Sequence, residues 1–569
     1  MKTLICTLNS KYIHSCLAPW CLFTACRAYC TEKHCLSVFE GTVNENQIEL
    51  YKRLIAENAD VITFSCYIWN KEKILALCEK IKASRPETLI ILGGPEVAYC
   101  QKEILTGHSF IDFILSGEGE ITLPKLIDCL AESDNPSDID GVSFFKDGIL
   151  TIKNEVIGKN FNYPSPYCEE YFNSLKGRIA YIESSRGCPF SCAYCLSGRQ
   201  GRVRFRSLAK TKREILLLAR SGAKTVKFID RTFNCDNDRA IEILRFIREN
   251  RGTVIPREVC FHFEINADIL KQSLIDEIAL SEKGALQFEI GIQSLNESTL
   301  KAIGRRSDKR ELFQRIRKLV SLGNCHIHTD LIAGLPEETL QSFVNGFNEC
   351  FTLGANMLQL GFLKLLHGSE LRQNKDRFGC TFSDKPPYGV ISTAAMSEAD
   401  LDILRTAEKE IDRLHNSGRF PCTLSYILTV SGKTPFELFY YIGSSITEKS
   451  LPLDAYTDKL FLQLSSLDGI DSEILRDKLI SDRLSFNSSG ILPKSLYRSD
   501  ERLRKVKHAL ALAFPTEKGI NRSVAILYTE KKVIYCDYKT KDAVSGKYDV
   551  KSLPFDFFGE TFFDFDIDK

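Results

Sequence analysis

Neither sign of charge is in excess in this 569-residue chain: 75 Lys+Arg stand against 74 Asp+Glu, a net charge of +1. That leaves no electrostatic basis for general binding to nucleic acid or an anionic membrane, although a local basic patch can still form. Long hydrophobic runs are missing as well. The stretch LAPWCLFTACRAYC at 17–30 is moderately apolar, but Pro19 and Arg27 interrupt it and it is shorter than the roughly 20 residues a membrane span needs. No solenoid repeat and no long low-complexity segment occurs. No secretory leader is recognised, so a soluble, cytoplasmic protein with reduced thiols is expected. Methionine and tryptophan are scarce, at three and two, and against them the 21 cysteines stand out. That number is odd and too small for a disulfide scaffold, and clustered thiols in a reducing compartment point to metal binding. At 44% hydrophobic and 26% charged, the remainder is that of an ordinary globular protein with several domains of roughly 150 residues each.

The periodicity predicts an α/β protein. Over 1–130, strand-like runs (TLICTLN, LSVFE, VITFSC, TLIILGG, FIDFILSG) alternate with helical patterns, as in a doubly wound parallel sheet. Ligands of such sheets bind beyond the carboxyl ends of the strands. Those ends carry Asn9, Ser65, Gly93-Gly94 and Ser116-Gly117-Glu118-Gly119-Glu120, whose glycines would admit a ligand close to the backbone. The last segment is no dinucleotide fingerprint, because a third glycine is missing at 122. Residues 131–177 read as a connector with a hairpin turning at Lys146-Asp147-Gly148. Six β/α units over 178–375 predict a partial (β/α)6 barrel, with its chemistry at the strand ends. Residues 376–569 form a mixed, mostly helical C-terminal domain with strand-like and aromatic segments at its end and no catalytic motif.

After the first barrel strand comes Arg186-Gly-Cys188-Pro-Phe-Ser-Cys192-Ala-Tyr194-Cys195, a C-x3-C-x2-C loop. Three thiolates this close can face one inorganic centre, either an iron–sulfur cluster or zinc. Zinc in a structural site closes its shell with a fourth ligand, whereas a cluster on three cysteines keeps one iron open.

With Tyr194 at the aromatic position, this loop resembles the C-x3-C-x-aromatic-C signature of the radical S-adenosylmethionine (SAM) superfamily. The resemblance implies a [4Fe-4S] cluster on Cys188, Cys192 and Cys195, with SAM chelated to the open iron. Reductive cleavage of SAM would then give methionine and a hydrogen-abstracting 5'-deoxyadenosyl radical. It also implies SAM contacts at Tyr194, Asp230, Glu264, Gln293, Arg305 and Asp330. The last of these lies in a DLIxGLP-like segment similar to the coproporphyrinogen dehydrogenase branch. A doubly wound domain ahead of such a barrel resembles the cobalamin (B12)-binding subgroup, including Mg-protoporphyrin monomethyl ester cyclase-like proteins and B12-dependent methyltransferases. In that reading Ser65, Gly93, Gly94, Gly117 and Glu118 would line the cobalamin site. The Asp-x-His-x-x-Gly motif that supplies an axial histidine elsewhere is absent, since Tyr12 stands two residues before His14, so base-off cobalamin without histidine ligation is expected. The C-terminal part resembles an uncharacterised domain of the DUF4080 type.

The implied activity is methylation, cyclisation or rearrangement of an unidentified small molecule, with an electron donor such as flavodoxin or ferredoxin. The alternatives are a radical SAM enzyme without cobalamin, or an iron–sulfur redox or sensing protein. The basic run Arg199, Arg202, Arg204, Arg206, Lys210, Lys212 and Arg213 reads as a solvated loop and helix start, or as cations that balance the cluster or an anionic substrate. Cys16, Cys21, Cys26, Cys30 and Cys35 read as buried small hydrophobes, although Cys26 and Cys30 would share a helical face and a second metal site is conceivable.

Overall fold

The structure is a computed structural model describing residues 1–199, 202–448 and 450–559. The aromatic tail from 560 onward lies outside the described residues. Five parallel strands, β1 (Lys2–Asn9), β2 (Cys35–Thr42), β3 (Val61–Ser65), β4 (Leu89–Gly93) and β5 (Phe113–Leu115), lie in the order β2-β1-β3-β4-β5. Alternate side chains of β1 serve two layers. Leu4, Cys6 and Leu8 pack with α2 (Gln47–Ala56) and α3 (Lys71–Ser84), while Ile5 packs with α1 (Leu17–Tyr29). Helix order then runs through α4 (Pro95–Ala98) and α5 (Gln101–Gly107) to α6 (Gly119–Ala131), which lies against α1. Strand order reverses between β1 and β3, and this is where a doubly wound sheet opens its crevice.

The hairpin expected in the connector is instead part of this sheet. Strand β6 (Val142–Lys146) pairs antiparallel with β5, and β7 (Ile149–Thr151) with β6. Its turn residues Asp147 and Gly148 both have positive φ, 50° and 77°, as a tight two-residue hairpin turn requires.

The six barrel strands are β8 (Ala180–Ile182), β11 (Thr225–Phe228), β12 (Cys260–Ile265), β13 (Leu286–Gln293), β14 (His326–Ala333) and β15 (Met357–Phe362). All pair in parallel, in chain order, leaving β8 and β15 as the two edges. The short β9 (Ser185–Arg186) and β10 (Arg204–Phe205) pair with each other across the cysteine loop. Outward-facing Val226, Phe228, Phe261, Phe263, Phe288 and Ile290 join the buried core, with the Phe228 and Phe263 rings stacked at 4.5 Å.

The first domain touches both barrel edges. On the β8 side, His14 Nδ1 lies 2.8 Å from the Tyr181 hydroxyl, and Arg178 bonds the Tyr12 carbonyl (2.9 Å) and Glu40 (2.7 Å). Beyond β15, the Tyr388 hydroxyl donates to Glu96 at 2.8 Å and accepts from Lys71 at 3.2 Å. The strand-end loops of the first sheet therefore span the open side of the barrel.

The C-terminal part is helical from Glu398 to Ala513 and ends in a three-stranded antiparallel sheet formed by Arg522–Leu527, Lys532–Lys541 and Tyr548–Pro554. It shares the barrel's core through Phe347, Phe436 and Phe439, and Asn416 bonds both backbone groups of Leu358. No helix among the described residues is long and apolar enough to cross a membrane.

Candidate active site

The cysteine loop is held at both ends and in its middle. Gly187, at φ +100°, sits where the arms of the loop meet: a Cβ there would lie 2.4 Å from the Arg202 carbonyl oxygen. Ala193 donates its N–H to the Ile303 carbonyl and accepts from Leu371 N–H, both at 2.9 Å, so the loop is anchored to two barrel segments. Cys188 Sγ lies 3.3 Å from Thr232 Oγ1, and Cys195 Sγ accepts from the Ser197 N–H at 3.4 Å. Burial pushes the Cys192 thiol up, and the positive charge of Arg305 counters it.

All three thiols open into one cavity of about 230 Å³ at the carboxyl ends of the barrel strands. Tyr194, Glu264, Gln293, Arg305 and Asp330 line the same cavity, so five of the six expected SAM contacts converge on the cysteines. Gln293 is held in an unusual backbone conformation, φ +72°, beside a register shift between β13 and β14. Its amide folds back over Gly291, while Arg305 donates to the Gly291 carbonyl at 2.5 Å. Gln293 Oε1 and Arg305 Nε are buried with no partner in the protein, as groups awaiting a polar ligand would be.

The donor set fits a cluster better than a single ion. Three thiolates on one zinc ion would stand about 3.8 Å apart, from the Zn–S length and tetrahedral geometry. Among the described residues, three groups bring their ligand atoms within 4.8 Å of one another, and the loop thiols are not one of them. A cluster with an iron at each thiolate tolerates that wider spread.

A row of polar side chains continues from the cavity into the barrel; Lys227, His262 and Glu289 were missed in the sequence, while His328 was foreseen only as a partner of Asp330. Lys227 Nζ lies 3.0 Å from Glu289 and 3.9 Å from Glu264, His262 Nε2 lies 3.1 Å from Glu289, and His328 Nε2 lies 2.8 Å from Asp330. Burial pushes Glu289 upward, but His262 and Lys227 pull it down to about 2, so it stays ionised. Glu289, His328 and Asp330 also converge within 4.8 Å, but Lys227 already compensates the carboxylate. The signal was available: each of these residues alternates with an apolar neighbour along its strand, so they share the inner face. Outside the row, Glu338 is buried with Ser294 as partner at 2.7 Å, and burial raises its pKa to about 7.

Other expected residues do not reach a site. Asp230 is buried outside the cavity, and its carboxylate accepts from Ser184 N–H (2.7 Å), Ser184 Oγ (2.6 Å) and Ser185 Oγ (2.7 Å). It braces the start of the cysteine loop instead of meeting a ligand. Glu118 is taken up by Arg204 (3.0 Å), Arg186 (3.1 Å), the Tyr163 hydroxyl (2.5 Å) and the Gly158 N–H (2.8 Å). That set clasps the first domain to the cysteine loop. The glycines serve the chain's own crossings: a Cβ on Gly94 would lie 2.5 Å from the Cys66 carbonyl oxygen, and one on Gly117 2.2 Å from that of Val156. Gly93 has no such constraint, its nearest neighbour being Leu115 at 3.8 Å. The Ser65 carbonyl accepts from buried Asn70, which also bonds the Leu8 carbonyl and so stitches the diverging ends of β1 and β3. Beside that stitch, Trp69 stacks on Tyr67 (4.6 Å, 7°) and leaves 46% of its surface exposed. The basic run is largely absorbed in pairs, Arg204 with Glu118 and Arg206 with Glu214.

Comparison with known proteins agrees with this architecture. The radical SAM superfamily matches residues 182–349, the B12 binding domain 23–127, and a protein family of unknown function, DUF4080, 376–534. The cobalamin-dependent radical SAM methyltransferase TokK of Streptomyces tokunonensis is 26% identical over 316 residues, 52% of this chain and 45% of that one. The anaerobic magnesium-protoporphyrin IX monomethyl ester cyclase of Synechocystis is 30% identical over 248 residues, 41% of this chain and 48% of that one. The match thus spans under half the length of these relatives. Among solved structures, the cobalamin-dependent SAM radical enzyme OxsB superposes with a TM-score of 0.61 at 15% identity, covering 91% of this chain and 82% of that one. At that identity the likeness is one of fold. The radical SAM domain implies a [4Fe-4S] cluster and SAM, and the B12 binding domain implies cobalamin. The chain therefore carries a radical SAM domain, preceded by a B12 binding domain and followed by a DUF4080 segment.

Proposed function

We propose that this enzyme is a cobalamin-dependent methyltransferase acting on a small molecule. The observation that carries the reading is the convergence, in one cavity, of Cys188, Cys192 and Cys195 with Gln293, Arg305 and Asp330, beneath a B12 binding domain that spans the open side of the barrel. When bound, the cluster and cobalamin supply electron transfer to SAM and methyl carriage. The chain itself orients and encloses. Arg305, fixed by the Gly291 carbonyl, directs positive charge toward Cys192 and would pair with the carboxylate of SAM. The buried Gln293 amide oxygen is free to accept from SAM, and Glu264 and Asp330 are available to its amino and ribose groups. The ionised Glu289 lines the cavity with Lys227 and His262 behind it, and it would hold polar groups of the substrate. Electrons would come from a flavodoxin or ferredoxin.

The test is transfer of label. Reconstituted enzyme with cobalamin, reductant, cell extract and methyl-labelled SAM is expected to give a labelled small molecule. An altered but unlabelled metabolite would favour cyclisation or rearrangement, the reading suggested by the cyclase relative.

A further inference from the structure

A second cysteine group lies in the first domain, apart from the loop thiols. Helix α1 ends at Tyr29, with Cys26 in its last turn and Cys30 as its C-cap, the Cys30 N–H donating to the Cys26 carbonyl at 3.1 Å. The Cys30 thiol donates to the Pro124 carbonyl of α6 at 3.7 Å. A turn through Thr31–Lys33 then returns the chain so that His34 Nε2 lies 2.8 Å from Asp128 Oδ1 on α6. The His34 side chain is 2% exposed and that of Asp128 15%. The other oxygen, Asp128 Oδ2, accepts from the Thr31 N–H (2.7 Å) and hydroxyl (2.9 Å), which fixes the carboxylate toward the thiols. Ligand atoms of Cys30, His34 and Asp128 all lie within 4.8 Å of one another.

We propose that Cys30, His34 and Asp128 hold a structural zinc ion. One thiolate, one imidazole and one carboxylate fill three positions of a tetrahedral shell, and Cys26, one turn back on the same helix and outside the 4.8 Å group, supplies the fourth by a change of its side-chain rotamer. Soft sulfur ligands exclude magnesium and calcium and select zinc among the common ions. Coordination replaces the present Cys30–Pro124 and His34–Asp128 hydrogen bonds, and two thiol protons leave to solvent as the ion enters. The spacing C-x3-C-x3-H puts three ligands at one helix end, and Asp128 brings the fourth from the neighbouring helix. The ion therefore ties α1 to α6, the pair that covers the barrel-side face of the first sheet. This site involves no catalytic residue. Its function is to hold the orientation of α1, which begins directly after the β1 strand-end loop.

Full-length protein, purified anaerobically from zinc-supplemented cells, is to be assayed for zinc and iron together. The proposal expects one zinc per chain, lost in Cys30→Ser and in His34→Ala while iron stays at the wild-type level. Cys192→Ala should do the reverse, losing iron and keeping zinc. Should the two variants fail to fold, wild-type protein stripped with a chelator and refilled with Co(II) gives the answer: tetrahedral ligand-field bands with thiolate-to-cobalt charge transfer are expected. No retained zinc in the wild type, zinc that persists in both variants, or a cobalt spectrum without thiolate bands would overturn the assignment.

Discussion

The side chain of Gln293 occupies the space that Gly291 leaves empty: a Cβ at 291 would stand 2.1 Å from Gln293 Nε2. Arg305 grips the Gly291 carbonyl, so the placement of Gln293 in the cavity depends on one missing methyl group beside that contact. Gly291→Ala is therefore expected to push Gln293 out of place. SAM affinity, measured by equilibrium dialysis on reconstituted protein, should fall at least about tenfold, the equivalent of losing one good hydrogen bond to a charged ligand. Iron content should not change.

Arg305 carries the main positive charge beside Cys192. Arg305→Met should weaken SAM binding through its carboxylate by about 2 kcal/mol, roughly thirtyfold. Because Arg305 also counters the burial of the Cys192 thiol, the variant should need a higher pH for cluster reconstitution. Iron uptake followed against pH checks this.

Two carboxyl groups give the fold opposite pH limbs. Glu118 is buried, yet Arg204 and Arg186 hold it down to about 2. Its contribution is present above the ordinary carboxylate pKa and is lost as pH falls from about 4.5 toward 2. Glu118→Gln should cost about 3 kcal/mol at pH 7, since it leaves Arg204 buried beside a neutral partner, and should flatten the acid limb. Glu338 is raised by burial to about 7. Its protonated form favours the fold below about 4.5, and that advantage is lost as pH rises through 7. Glu338→Gln should therefore stabilise the protein at pH 8, by at most about 3 kcal/mol. Denaturant midpoints from pH 3 to 8 separate the two.

Lys227 and Glu289 are expected to matter for substrate more than for the cofactor. Lys227→Met removes the cation that, with His262, keeps Glu289 ionised. Turnover should fall and shift to higher pH, with SAM affinity nearly unchanged. The same label-transfer measurement, run against pH, detects it.

What could be read from the residues follows a physical line. The cysteine loop was legible from its short spacing and Gln293 and Asp330 from their places on successive strands, whereas Arg305 came only from the resemblance to the coproporphyrinogen dehydrogenase branch. Asp230 was not, because a strand-end carboxylate can face a ligand or turn back, and its direction is set by the hydroxyls of Ser184 and Ser185, some 45 residues earlier. Gly94 and Gly117 carried the right message of close approach but not its object, which is the chain's own backbone at Cys66 and Val156. Lys227, His262, Glu289 and His328 lay within runs read as plain strands. Their common face appears only when the alternation is compared across four strands at once. The hairpin beyond β5 was seen, but its partner strand was not, since pairing across a turn-rich connector leaves no local mark.

The central claim is that the three loop thiols hold a cluster that cleaves SAM within the cavity of Gln293, Arg305 and Asp330. Anaerobically reconstituted wild-type protein and Cys192→Ala, each given SAM and dithionite, test it through the 5'-deoxyadenosine they release. The account predicts that the wild type forms 5'-deoxyadenosine and that the variant, depleted of iron, forms none. Wild-type protein that carries its iron yet releases no 5'-deoxyadenosine, or a variant that keeps its iron, would contradict it.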